Sequence, residues 1–117
     1  MANPTPNKND GNVNRTPVKY NVYSGATGAT AIATDDEVAM LTKSSAGSYT
    51  LAAPTSPDLN GQSITMITTT AAAHVVTGVY LPTGTTLTFT AAIGNQCTAT
   101  AYGGVWYVGN LTGVTLA

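Results

Sequence analysis

The chain has 117 residues, and only 8% of them are Asp, Glu, Lys or Arg, against about 25% in an average globular sequence. A net charge of −1 gives no electrostatic footprint for nucleic acid or an anionic membrane, and no apolar run is long enough to span a bilayer. One cysteine, Cys97, cannot form an intrachain disulfide.

The charge is unevenly placed. Lys8, Arg15, Lys19 and Lys43, with Asp10, Asp35, Asp36, Glu37 and Asp58, all precede Leu59; the rest of the chain carries none. The apolar set is mainly Ala, Val, Leu and Ile with one Phe and one Trp. Each buried Val or Leu contributes roughly 1.5–3 kcal/mol, so a core this light favours oligomerisation as a way to bury more surface. The opening MANPTPNKND lacks a basic and then apolar leader, and no signal peptide is expected.

In chain order, residues 1–20 hold Pro4, Pro6 and Pro17 and five asparagines. Proline fixes φ and extends its predecessor, so this segment is expected to be extended or disordered on its own, either a loose terminus or an arm that orders on a partner with Lys8, Arg15 and Lys19 as polar anchors. Residues 21–34 follow as a Gly/Ala/Thr connector. Residues 1–34 are thus expected to form an arm, and 35–117 a β-body. Asp35-Asp36-Glu37 reads as a solvated turn leading into a strand in which Val38, Met40 and Thr42 alternate. Strands are predicted over 48–53, 62–70, 73–81, 85–91, 96–102, 105–108 and 113–116. Their spacing and Gly/Pro/Asn punctuation indicate an all-β fold, an antiparallel sandwich or barrel of about 7–8 short strands. A faint echo links 47–65 to 84–100, each a Gly turn, an alternating strand ending in Ala-Ala, a Gly/Asn turn and a polar-starting strand.

The chemistry of an enzyme is not expected. Three adjacent acids on extended backbone point to different faces and make a poor carboxylate pair. The only histidine, His74, has no carboxylate after Asp58 to orient it; it is expected near a strand start, bonded to backbone or a neighbouring subunit, and a pH switch if buried. Cys97 reads as a small buried hydrophobe. One Cys and one His make no zinc site, and no phosphate-cradling Gly motif is present. No cofactor is expected. Gly103-Gly104 reads as a hairpin turn. Tyr80, Tyr102, Trp106 and Tyr107 are expected in the core or a subunit interface, with an exposed platform for sugar rings as the alternative. Thr86, Thr88 and Thr90, with Thr98 and Thr100, have the spacing of an ice-matching array, but ordinary strand alternation produces it too.

The frame Gly47-Ser-Tyr-Thr-Leu-Ala-Ala-Pro, Leu59-Asn-Gly-Gln-Ser-Ile-Thr, Ala73-His-Val-Val-Thr, Leu87-Thr-Phe-Thr-Ala-Ala-Ile-Gly-Asn and Tyr102-Gly-Gly-Val-Trp-Tyr-Val resembles a small β-module of tailed-phage virion proteins, among them capsid decoration proteins and head fibres. The resemblance covers a little over half the chain. It implies a homotrimer on the outer capsid surface, attached to the major capsid protein through its N-terminal part. Pro4, Pro6, Lys8, Arg15, Pro17, Lys19 and Tyr20 are the expected capsid contacts, and the family brings no catalytic residues. A single compact body favours decoration over host adsorption. The alternative from another class is a carbohydrate-binding module of a tail or surface protein, reading surface glycans through its aromatics.

Overall fold

The computed structural model describes residues 7–8, 11–12, 18–25, 30–78 and 84–117. Two short segments, β1 (Asn7–Lys8) and β2 (Gly11–Asn12), pair with each other. The body holds β3 (Tyr20–Tyr23), β4 (Thr30–Ile32), β5 (Val38–Leu41), β6 (Ser48–Leu51), β7 (Ser63–Thr68), β8 (Val75–Thr77), β9 (Thr86–Phe89), β10 (Gln96–Tyr102), β11 (Val105–Thr112) and β12 (Val114–Leu116), with one 3-10 turn at Pro57–Leu59. The first sheet has the order β11-β10-β7-β5-β3 and the second β12-β9-β8-β6-β4. The all-β sandwich expected from the spacing is the fold observed.

Its pairing differs from the all-antiparallel expectation. In each sheet the first two ladders are parallel (β3–β5 and β5–β7; β4–β6 and β6–β8) and the last two antiparallel. From β3 to β8 successive strands alternate between the sheets, so the chain winds as a two-sided coil before it reverses. The reason is link length. Links such as 33–37, 42–47 and 69–74 can cross the roughly 10 Å between stacked sheets, and nothing in them makes a two-residue hairpin. Gly103-Gly104 does make one: with φ of +60° and +80° it closes β10 on β11, Tyr102 opposite Val105, as the type I′ geometry requires.

Strands β3 and β4 fall inside the expected arm and connector, yet both pair in the sheets. The internal echo has a structural counterpart. Strands β6 and β9 lie in the second sheet, and β7 and β10, which follow them, are antiparallel neighbours in the first.

Period-2 alternation sends Ala39, Leu41, Ile64, Met66, Cys97, Ala99, Ala101 and Trp106 inward from the first sheet, against Ile32, Tyr49, Leu51, Val76, Leu87, Phe89 and Val114 from the second. Trp106 is fully buried, and its Nε1–H donates to the Ala52 carbonyl at 2.8 Å. That bond ties β11 to the long 52–62 connection.

Candidate functional site

Two buried polar groups fasten the coil. Asp36 lies in the turn expected to be solvated, yet it is fully buried. Its Oδ1 accepts from Lys19 Nζ at 3.1 Å and Asn21 Nδ2 at 2.6 Å, and its Oδ2 accepts from Tyr23 Oη at 2.5 Å. Tyr23 Oη in turn accepts the Ala33 N–H at 2.9 Å, and Gln62 Nε2 donates to the Asp36 carbonyl at 2.7 Å. The carboxylate therefore joins β3 to the β4–β5 turn, and the Asp36 carbonyl ties that turn to Gln62, just before β7. A buried carboxylate is tolerable because donors surround it. The exposed reading holds for Asp35, whose carboxyl is lowered by the hydrogen bond from Lys19, and the Lys19 ammonium is raised by its bonds to Asp35 and Asp36. Burial, then the bond to Asp36, raises the Tyr23 hydroxyl.

His74 is the second group, fully buried and edge-on to Tyr49, ring centroids 5.7 Å apart. The Gly47 N–H donates to its Nδ1 at 3.1 Å, and its Nε2 lies 3.2 Å from Thr70 Oγ1. An N–H can only donate, so Nδ1 is bare and the proton sits on Nε2. The Thr70 hydroxyl passes its own hydrogen to the Lys43 carbonyl at 2.5 Å. This chain of bonds latches the 42–47 link to the 69–74 link. Burial, and then the Lys43 charge, hold the imidazole below its ordinary range. Cys97 is buried as expected, and burial pushes its thiol up to about 12.

Among the described residues, no three or more His, Cys, Asp or Glu side chains gather as metal ligands would, and no helix is long and apolar enough to cross a membrane.

The sequence-predicted contact residues separate. Pro4, Pro6, Arg15, Pro17 and Tyr80 lie outside the described residues, and Lys8 lies in β1. Lys19 is engaged by Asp35 and Asp36 within the chain and is a fastener of the fold, in place of a free anchor. Tyr20 is exposed on β3. Trp106 is in the core, as the structural reading held, and therefore drops out of any sugar platform. Tyr102 and Tyr107 remain exposed.

Each sheet also presents an outer face in register rows. On the second sheet, Ala31, Thr50, Thr77 and Thr86 stand in one register row and Ser48, Val75, Thr88 and Thr115 in the next. On the first sheet, one row runs Tyr20, Val38, Thr65, Thr98, and the next Val22, Met40, Ile67, Gln96. Ser63, Thr100 and Tyr107 follow, then Tyr102 beside Val105. Sequence reasoning placed Tyr20 in the arm and assigned no role to Val22 or Met40. Their alternation with inward Asn21, Tyr23, Ala39 and Leu41 is the signal that finds them.

No protein-family model, curated protein or solved structure matches the chain.

Proposed function

We propose that the chain is a non-catalytic structural protein of a virion, a capsid decoration protein of the cement or head-fibre kind that binds the outer surface of the major capsid protein shell and stabilises it. The observation that carries the reading is the character of the body. It is a small sandwich whose buried Asp36, His74 and Cys97 are committed to the fold or to the core, and whose outer faces carry no charge on their strand positions. Such a body offers contact area rather than chemistry. The resemblance of 47–111 to phage virion modules supplies the setting: host-cytoplasmic assembly, a homotrimeric body and attachment through the N-terminal arm.

On this reading the arm, with Pro4, Pro6, Lys8, Arg15 and Pro17, docks on capsid strands by backbone pairing. Ligation of the assembled shell, and not of free subunits, then adds its binding energy to the shell alone. Deleting residues 1–17 leaves β3 intact and is expected to abolish co-sedimentation with capsids. Retained binding would overturn the arm's role.

A second reading is favoured by one observation. Tyr102 and Tyr107 are exposed on the same face, at the end of the β10–β11 hairpin, where aromatic rings can stack on sugars. Chemical-shift changes of these two rings on adding oligosaccharide, lost in Tyr102→Ala, would support a carbohydrate-binding module. Unchanged shifts across an oligosaccharide panel would remove it.

A further inference from the structure

We infer that copies of this chain meet through the outer face of the first sheet, the β10–β11 margin of one copy lying on the β3–β5 margin of the next. The apolar exposure of this face is concentrated in two places. Tyr20 and Val22 on β3 are 61% and 56% exposed, with Val38 and Met40 beside them on β5. Tyr102 and Tyr107, on β10 and β11, are 67% and 50% exposed, with Val105 beside Tyr102.

Strands β3 and β11 are the two edges of a five-stranded sheet, about 19 Å apart at the usual strand spacing, with β7 between the two clusters. Between them run hydroxyls that pair with one another, Ser63 Oγ with Thr100 Oγ1 at 2.9 Å and Thr65 Oγ1 3.5 Å from Thr98 Oγ1, and, one row on, the half-buried Ile67 beside Gln96. The paired hydroxyls need no cover, whereas the margins leave large apolar side chains in water.

Charge decides the occupant. Every outward strand position of this face is uncharged, while Lys19, Asp35 and Glu37 stand at one end, beyond the strands of the face. A charged partner finds no counter-charge here, and a second copy meets no like-charge repulsion. The opposite face of the sandwich sharpens the choice. Its outward strand positions are Ser, Thr, Ala and a single Val, which sit in water at little cost.

Because the margins differ from each other, one patch meets an unlike patch, which is a heterologous contact that closes into a ring when the rotation allows. The number of copies, three, rests on the proposed ornament reading; the location of the contact does not.

The test uses three full-length variants followed by light scattering behind a sizing column, with circular dichroism to confirm the fold. Wild type is expected at three times 11.8 kDa. Val22→Lys and Tyr107→Glu are each expected to weaken assembly by about 30-fold or more, since a charge buried in a contact without a partner costs at least about 2 kcal/mol. Mixed together, they are expected to recover mass only in part. In a mixed ring of three, an intact Tyr107 meets an intact Val22 at one contact and the introduced carboxylate meets the introduced ammonium at a second, while the third still buries a single introduced charge. Thr88→Lys, on the second sheet, is expected to keep the wild-type mass.

Single variants that hold the wild-type mass, a mixture that stays monomeric, or equal loss in Thr88→Lys would each overturn the inference. Variants that keep their mass but no longer co-sediment with capsids would give the face to the capsid protein instead, overturning the inference while leaving the proposed function standing. Self-association without any capsid binding would do the reverse.

Discussion

The two ends of the sandwich are held by different physics. The parallel coil, β3 to β8, has short strands joined by links that cross between sheets. Its links are closed by buried polar groups: Asp36 under β3 and the β4–β5 turn, His74 between the 42–47 and 69–74 links. The antiparallel end, β9 to β12, includes the longest strands, β10 and β11, carries no charged residue, and is closed by a hairpin and by the indole of Trp106 on the Ala52 carbonyl. A parallel ladder gets no tight turn to set its register, so the coil needs side-chain latches. A hairpin sets its own register, and apolar packing suffices.

The contrast can be broken from either end. The largest effect is expected at the antiparallel end, where Trp106→Ala removes the biggest buried side chain and should cost about 3–5 kcal/mol. Denaturant unfolding measures the loss, and hydrogen exchange should show β10 and β11 opening first. In the coil, Asp36→Ala strands the Asn21 and Tyr23 donors and should cost about 3 kcal/mol, with exchange rising first in β3 and β4. A loss spread evenly over both ends in either variant would contradict the division.

Smaller, and specific to the coil, is a dependence on pH. His74 is neutral in the fold with its proton on Nε2, and its titration is lowered, so below about pH 6.5 the unfolded chain binds a proton that the folded chain refuses. Stability is therefore whole above that pH and declines below it, by up to about 1.4 kcal/mol per pH unit. The partners around the ring are Gly47, Thr70 and Tyr49, with Lys43 as the nearby charge; none is a carboxylate that would hold the imidazolium. Urea melts between pH 7.5 and 5 should show the decline, and His74→Gln should remove it. The smallest effect is chemical. With its thiol raised to about 12 by burial, Cys97 should resist iodoacetamide at pH 8 in native protein and react once unfolded.

The antiparallel end is the more legible half. Gln96–Tyr102 is a strand with the bounds its alternation predicts, the Gly103-Gly104 turn closes the hairpin its sequence implies, and Leu87 and Phe89 point inward as their spacing requires. Local pattern suffices there because hairpin neighbours are neighbours in sequence. The coil is less legible because its contacts are distant: β3 pairs with β5 around an intervening strand of the other sheet. Alternation alone does not distinguish a parallel ladder from an antiparallel one. Tyr20–Tyr23 reads as linker because its inward side chains, Asn21 and Tyr23, are polar. They serve an aspartate 13 to 15 residues away, and nothing in the local sequence announces that partner. The outer-face margins are hidden for the same reason, since Val22 and Tyr107 share a face only once both strands have joined the sheet.

Native mass across a concentration series is the most direct test of the central claim, that this sandwich is an assembling structural body built around the one outer face with exposed apolar margins. The account predicts a mass of three times 11.8 kDa that falls toward one chain only on strong dilution. A mass of one chain throughout, at concentrations up to the millimolar range, would contradict it.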